Sequence, residues 1–342
     1  MKKIVIVACI AILNFACKSS KSRVSTVEKT TDFTIAFGSC NKHDLENFLW
    51  DDILNAKPNV WIWGGDIIYA DTDDMSKMKS VYKAQNAVEG YKELRSKVPV
   101  IGTWDDHDYG LNDGGIEFKA KRESQQEFLD FMGVAADSPR RKREGVYAVH
   151  NFNLPEGKIK VIVLDTRYFR TAITPDTETK KRLKPNVYGE GSVLGGQQWK
   201  WLEKELNSSK AEFNVIVSSV QFLSKEHGFE GWGNFPHEVD RLKQLVVSSK
   251  AKGAMILSGD RHISEFSRTK VEALGYPLVD FTSSGLTHVY SDFTGEDNAY
   301  RVGEVVFVQS FGIVEINVKT REVLFKMVGN EGEILGMLKQ QY

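Results

Sequence analysis

The chain has 342 residues, 41% of them hydrophobic, with 45 basic and 46 acidic side chains. This is the composition of a globular protein, long enough for one large domain or two small ones. The near-neutral charge supplies no basic field for bulk nucleic-acid binding, so no nucleic-acid-binding domain is expected.

At the N-terminus, Lys2-Lys3 form a basic start, Ile4 to Leu13 an apolar run too short to span a bilayer, and Ala16 precedes Cys17. Residues 1–16 read as an export signal. A cysteine after a small residue resembles a bacterial lipoprotein signal, which implies cleavage before Cys17, lipidation of its thiol and anchorage at the periplasmic or cell-surface face of a membrane. The Leu usual three residues before that cysteine is here Asn14, and a plain signal peptide or an uncleaved anchor is the alternative reading. Residues 17–31, rich in Ser, Thr and Lys, are expected to be a disordered tether, followed by a folded domain over 32–342. Cys9 leaves with the signal and Cys17 is the lipidation candidate, so Cys40 is alone in the mature domain, without a disulfide partner. Metal ligation is then a role worth testing for it.

Short apolar runs predict strands at 33–37, 59–63, 98–101, 159–164, 213–218, 253–257 and 277–281, then at 304–309, 311–318 and 322–328. Helices are expected at 44–55, 75–97, 117–132, 195–206 and 237–249. Strands alternating with helices, then a strand-rich end, predict an α/β domain in which two mixed sheets pack between helical layers. Residues 170–196, with Pro175, Pro185, Gly189 and Gly191, form a long excursion expected near the site.

Chemistry collects where the strands end. Gly38-Ser39-Cys40-Asn41 sets a thiolate for a softer or trivalent metal beside an amide oxygen suited to a harder ion such as calcium. Gly64-Gly65-Asp66 brings backbone and carboxylate close to an ion, and the two oxygens of Asp66 can bridge two metals. Tyr69 is either a phenolate ligand to a trivalent metal or a packed loop aromatic. Asp105-Asp106-His107-Asp108 surrounds one imidazole with three carboxylates, a charge density that cations would neutralise. Leu164-Asp165-Thr166-Arg167 offers a guanidinium fork to phosphate oxygens, or a salt bridge within the turn. Asp260 and His262, two apart in an extended segment, face the same way. Arg140-Arg141-Lys142-Arg143 reads as a solvated basic loop or a contact for anionic lipid or polyanionic substrate, and Trp232 and Phe235 as cleft lining or a packed loop.

Taken together, Phe37-Gly38-Ser39-Cys40-Asn41, Gly65-Asp66-Ile67-Ile68-Tyr69-Ala70-Asp71, Thr103-Trp104-Asp105-Asp106-His107-Asp108, Leu164-Asp165-Thr166-Arg167-Tyr168, Leu194-Gly195-Gly196-Gln197-Gln198-Trp199, Ser258-Gly259-Asp260-Arg261-His262 and Thr282-Ser283-Ser284-Gly285-Leu286-Thr287-His288 resemble the PhoD-like alkaline phosphatase and phosphodiesterase family of the calcineurin-like metallophosphatases. The resemblance implies a four-layer αββα sandwich and a binuclear or trinuclear centre, typically ferric iron with calcium, hydrolysing phosphate esters. It also implies Cys40, Asp66 and Tyr69 as iron ligands, with Asp66 bridging, and Asn41, Asp106 and Asp260 as ligands of the harder ion, His262 completing either shell. In the wider superfamily the position of Asp106 is commonly Asn, which alters the charge of the second site here. The expected chemistry is attack of a metal-bound hydroxide on phosphorus, with Arg167 stabilising charge, His107 protonating the leaving alkoxide, and Asp105 or Asp108 orienting His107. His288 belongs to the shared motif and is a loop cap or a direct participant. A phospholipase-like enzyme and a phosphate-capturing lipoprotein without turnover are the competing functions, and a monomer is expected.

Overall fold

The computed structural model describes residue 1 and residues 31–342; residues 2–16 of the expected signal, the lipidation candidate Cys17 and the tether up to residue 30 lie outside the described residues. The elements in chain order begin with β1 (Phe33–Gly38), α1 (Trp50–Asn55), β2 (Val60–Gly64), α2 (Met75–Ala87), α3 (Glu89–Lys97), β3 (Val100–Thr103), α4 (Asp106–Tyr109) and α5 (Lys121–Phe131). They continue with β4 (Ala148–Leu154), β5 (Gly157–Val163), β6 (Thr174–Pro175), β7 (Leu183–Lys184), α6 (Gly195–Asn207), β8 (Phe213–Val217), α7 (Pro236–Ser249) and β9 (Ala254–Ser258). The last strands are β10 (Ser264–Thr269), β11 (Leu278–Ser283), β12 (Arg301–Val306), β13 (Phe311–Asn317), β14 (Glu322–Val328) and β15 (Ile334–Gln341).

One sheet has the order β15-β14-β13-β1-β2-β3 and the other β12-β10-β11-β9-β8-β5-β4. Both are mixed: β1, β2 and β3 run parallel, as do β5, β8, β9 and β11, while the remaining ladders are antiparallel. Alternation along the strands builds the layers. In β2, Val60 and Ile62 point into the core between the sheets, whereas Trp61 and Trp63 pack with Trp50, Tyr91 and Phe128 beneath the helices that follow. In β8 and β9, Val215, Val217, Met255 and Leu257 face the first sheet, and Ile216 and Ile256 join Trp199, Leu202 and Leu242 of α6 and α7. Three cores separating two sheets and two helical layers make the αββα sandwich the motifs implied.

Differences from the expected elements have local causes. The single helix expected over 75–97 is two, because Val88 adopts extended backbone (φ −60°, ψ 121°) between α2 and α3. The helix expected from residue 44 starts at Trp50. The strand expected at 304–309 lies at Arg301–Val306, leaving Phe307 and Val308 exposed. Strands β4, β10 and β15, and the two-residue strands β6 and β7 within the 170–196 excursion, were not expected. Of these β10 carries Ser264, Glu265 and Ser267 in buried positions, and Glu265 is neutralised by Arg301 at 2.7 Å. A polar buried strand has no apolar run to announce it.

Candidate metal centre

The parallel strands of both sheets deliver their C-terminal ends to one edge of the sandwich, where ligands collect in folds of this kind. There Cys40 follows β1, Asp66 follows β2, Asp105 to Asp108 follow β3, and Asp260 to His262 follow β9. The turns are tight. Cys40 (φ 59°), Asp66 (φ 50°), Asp260 (φ 71°) and His262 (φ 55°) all hold left-handed backbone, which costs on the order of 1–3 kcal/mol each and persists where surrounding structure enforces it. Gly65 (φ 101°) allows the closest approach: a Cβ there would lie 2.5 Å from that of Asp105.

Four donor groups, each with ligand atoms within 4.8 Å of one another, overlap in this space: Cys40, Asp66 and His262; Asp66, Asp106 and His107; Asp105, Asp106 and Asp260; and Asp106, Asp113 and Glu230. Asp66 belongs to two of them and is buried. Its Oδ2 accepts from the Tyr69 hydroxyl at 3.3 Å and the Cys40 thiol at 3.5 Å, and Tyr69 also meets His262 Nε2 at 3.3 Å. Of these donors Asp66, Asp106, His107, Asp113, Glu230, Asp260 and His262 line a cleft of about 560 Å³ together with Arg182, Phe229, Arg261 and Tyr290.

Burial first, then mutual repulsion, pushes Asp66 and Asp260 well above the ordinary carboxylate range. Burial and the charges of Asp66 and Asp260 likewise raise the Cys40 thiol. Asp105 is pushed up to about 6 by burial, although Arg167 opposes the rise. Oδ2 of Asp105 and Oδ1 of Asp106 are buried with no hydrogen-bond partner. Unpaired buried oxygens and crowded anions fit bound cations, which would reverse the sign of these shifts. The donors are mixed, with thiol, phenol and imidazole on one side and carboxylates on the other.

A measurable consequence follows for the protein treated with chelator. A carboxyl whose folded-state pKa lies above its unfolded value favours folding at low pH, and that contribution disappears as pH rises through the folded value. For Asp105 the window runs from about 3.8 to about 6, and Asp66 and Asp260 shift in the same direction. Thermal melts of chelated protein should therefore fall across that window, and added metal should restore them most at the upper end. A chelated protein with a flat profile would contradict the repulsion.

Several expected roles change with the geometry. His107 donates through Nδ1 to Asp71 Oδ1, 2.8 Å away, so its orienting acid is Asp71 rather than Asp105 or Asp108. Asp108 instead accepts from the backbone of Asp105 at 2.5 Å and of Ile67 at 3.1 Å, tying the β2 and β3 exits together. Burial alone would lower the His107 imidazole, but the Asp71 hydrogen bond and the charges of Asp106, Asp71 and Asp105 hold it above its ordinary range. Arg167 does not reach the cleft: it is wholly buried, with Nε on Asp105 and Nη1 on Glu230, each at 2.5 Å, so its fork is occupied. The salt bridge within its own turn does not form either, because Asp165 instead accepts the Arg167 backbone N–H. Asn41 donates to Ile67 O at 3.1 Å and Gln85 Oε1 at 2.8 Å and accepts from Asn47 at 3.1 Å.

Trp232 and Phe235 are core residues beneath α6 and α7, not cleft lining. His288 packs its ring 4.4 Å from that of His262 and 4.9 Å from that of Tyr69 and meets Thr287 Oγ1 at 3.1 Å. The site residues not assigned a role from sequence are Asp71, Asp113, Glu230, Arg182 and Arg261. Asp71 stood inside a quoted motif, whereas Glu230 and Arg182 sit in irregular loops without a pattern.

The chain is similar to known proteins. A curated relative, alkaline phosphatase D of Bacillus subtilis (strain 168), is 22% identical with 74% of the chain aligned; the chain spans about half the length of that relative, 51%. Among solved structures, one described as the structure of PhoD superposes with a TM-score of 0.71 at 17% identity, covering 91% of this chain and 69% of that one. A dimetal phosphatase from Danio rerio superposes with a TM-score of 0.57 at 15% identity, covering 92% of this chain and all of the other. At such identities the superpositions speak for the fold. The family model described as PhoD-like phosphatase matches residues 35–325, a span that opens in β1, closes in β14 and takes in every strand end of the centre, and the chain belongs to that family.

Proposed function

We propose that the protein is a metal-dependent phosphoric ester hydrolase. The observation that carries this reading is the convergence of four overlapping donor groups, from the strand ends of both sheets, on one cleft that also holds His107. Cys40, Asp66, Tyr69 and His262 would hold a trivalent ion such as ferric iron, and Asp66, Asp105, Asp106 and Asp260 a harder ion such as calcium. Bound metals supply Lewis-acid activation of water and neutralise charge on the phosphoryl group.

The chain's own residues do the rest. Asp71 fixes one ring nitrogen of His107, which leaves Nε2 toward the cleft to donate a proton to the departing alkoxide. Asn41 holds the β1 exit through its three hydrogen bonds, and we assign it that role rather than ligation. Arg182 and Arg261 are the guanidinium groups that line the cleft, each paired with an acid at 2.7 Å, and they replace Arg167 as the candidates for contacting substrate oxygens.

His107→Ala should slow esters with poor leaving groups by about 10²–10⁴-fold, and activated aryl esters far less. Equal losses on both would remove His107 from the acid role. Purified protein should contain iron and turn over a monoester or a diester, and a Tyr69 phenolate on ferric iron should colour it. Colourless protein with stoichiometric iron refutes the Tyr69 assignment, and metal-free protein that hydrolyses refutes the whole scheme. The exported, lipid-anchored reading stands beside this as a separate proposal, tested by labelled fatty-acid incorporation that Cys17→Ala should abolish.

A further inference from the structure

A second pocket, of about 250 Å³, lies between the first half of α5 and the basic loop 140–143 and shares no lining residue with the cleft. Its wall is built, not merely charged. The buried Gln125 side chain donates to the backbone carbonyls of Arg140 (3.2 Å) and Arg143 (2.8 Å) and accepts from Gly145 N (3.0 Å), which pins the loop to α5. Arg141 is spent on the same task, bonding Asp130 at 2.7 Å and the carbonyls of Ala135 and Val134.

The other cations are left unpaired or nearly so. Arg143 lies 3.7 Å over the Tyr147 ring, and its Nε and Nη2 are buried with no hydrogen-bond partner. Lys142 forms no ion pair among the described residues. Arg122 approaches Glu144 only at 3.6 Å, and Glu123 is the acid that lines the pocket. Tyr168 is buried yet lines the same pocket, with the Arg122 guanidinium beside its hydroxyl. Leaving charged donors buried and unsatisfied is costly, whereas a tetrahedral oxyanion accepts several such donors at once.

We propose that Arg122, Lys142, Arg143 and Tyr168 form a binding site for a phosphate group, separate from the catalytic cleft. The phosphate can belong to a free anion or to a lipid head group, since both present the same oxygens.

The test is titration of the metal-loaded enzyme with inorganic phosphate, and flotation with phosphatidylcholine vesicles with and without phosphatidylglycerol. The Arg122→Gln/Lys142→Gln variant changes exposed side chains, and Arg143→Gln is a second variant read alongside it. A phosphate site beyond the cleft that weakens about tenfold or more in both, with turnover of an aryl phosphate unchanged, supports the free anion. Vesicle binding that requires the anionic lipid and disappears in both variants supports the head group. Wild-type and variant proteins that behave alike with phosphate and with vesicles overturn the site.

Discussion

Asp66→Asn should lose metal and turnover together. The carboxylate is common to two donor groups, one with Cys40 and His262 and one with Asp106 and His107, and both its oxygens are in use: Oδ2 faces Cys40 and Tyr69, while Oδ1 accepts the His107 backbone N–H at 3.4 Å. An amide keeps the shape but removes the charge and one acceptor, so both donor groups would lose the carboxylate they have in common. Metal assistance contributes several kcal/mol, so kcat/KM should fall by about a thousandfold or more, with metal content dropping in parallel. The left-handed backbone at residue 66 tolerates Asn as readily as Asp, so the folded core should persist. Far-UV circular dichroism and elemental analysis on the same sample check both halves. Full metal content and turnover in this variant would sink the bridging assignment.

Arg167→Ala should instead cost stability first. The guanidinium is enclosed with Asp105 and Glu230, and Glu230 also meets Arg170 at 2.7 Å. Removing one partner of a buried ionic network leaves uncompensated charge and typically costs about 3–5 kcal/mol. Asp105 would suffer most, because burial already raises it and Arg167 is the largest influence holding it down. A protonated Asp105 is a poor metal ligand, so activity should fall through metal loss rather than through substrate affinity. Arg167→Lys should rescue little, since an ammonium lacks the fork that spans two carboxylates. Glu230→Gln should cost less in the Arg167→Ala background than in the wild type, because only Arg170 of its two guanidinium partners then remains. Melting temperatures of these variants decide the matter, and an Arg167→Ala protein that melts like the wild type would refute the network.

The strands carrying the centre were legible because each is a short apolar run. Val60-Trp61-Ile62-Trp63 and Ala254-Met255-Ile256-Leu257 are buried on both faces and read as continuous hydrophobic segments that end abruptly in charge. The break at Val88 was not legible, since no Pro marks it and the nearest glycine, Gly90, lies inside the second helix rather than at the break. Nor was β10, whose buried Glu265 is tolerated only because Arg301, Gln221 and Asn298 surround it.

What the amino-acid sequence determined by itself was the inventory and its placement: thiol, phenol, imidazole and carboxylates at the ends of strands, and hence the αββα sandwich and the candidate metal donors. These are local properties, set by period-2 burial and by what directly follows each strand. Tertiary structure alone decided the partners. Asp71 reaches His107 across 36 residues, Arg167 reaches Asp105 across 62, and Glu230 reaches Arg167 across 63. An isolated Arg-Tyr after a strand is equally suited to gripping a phosphate or to neutralising buried acids. Burial chooses between them, because an enclosed guanidinium must satisfy the charges that enclose it before it can serve a ligand.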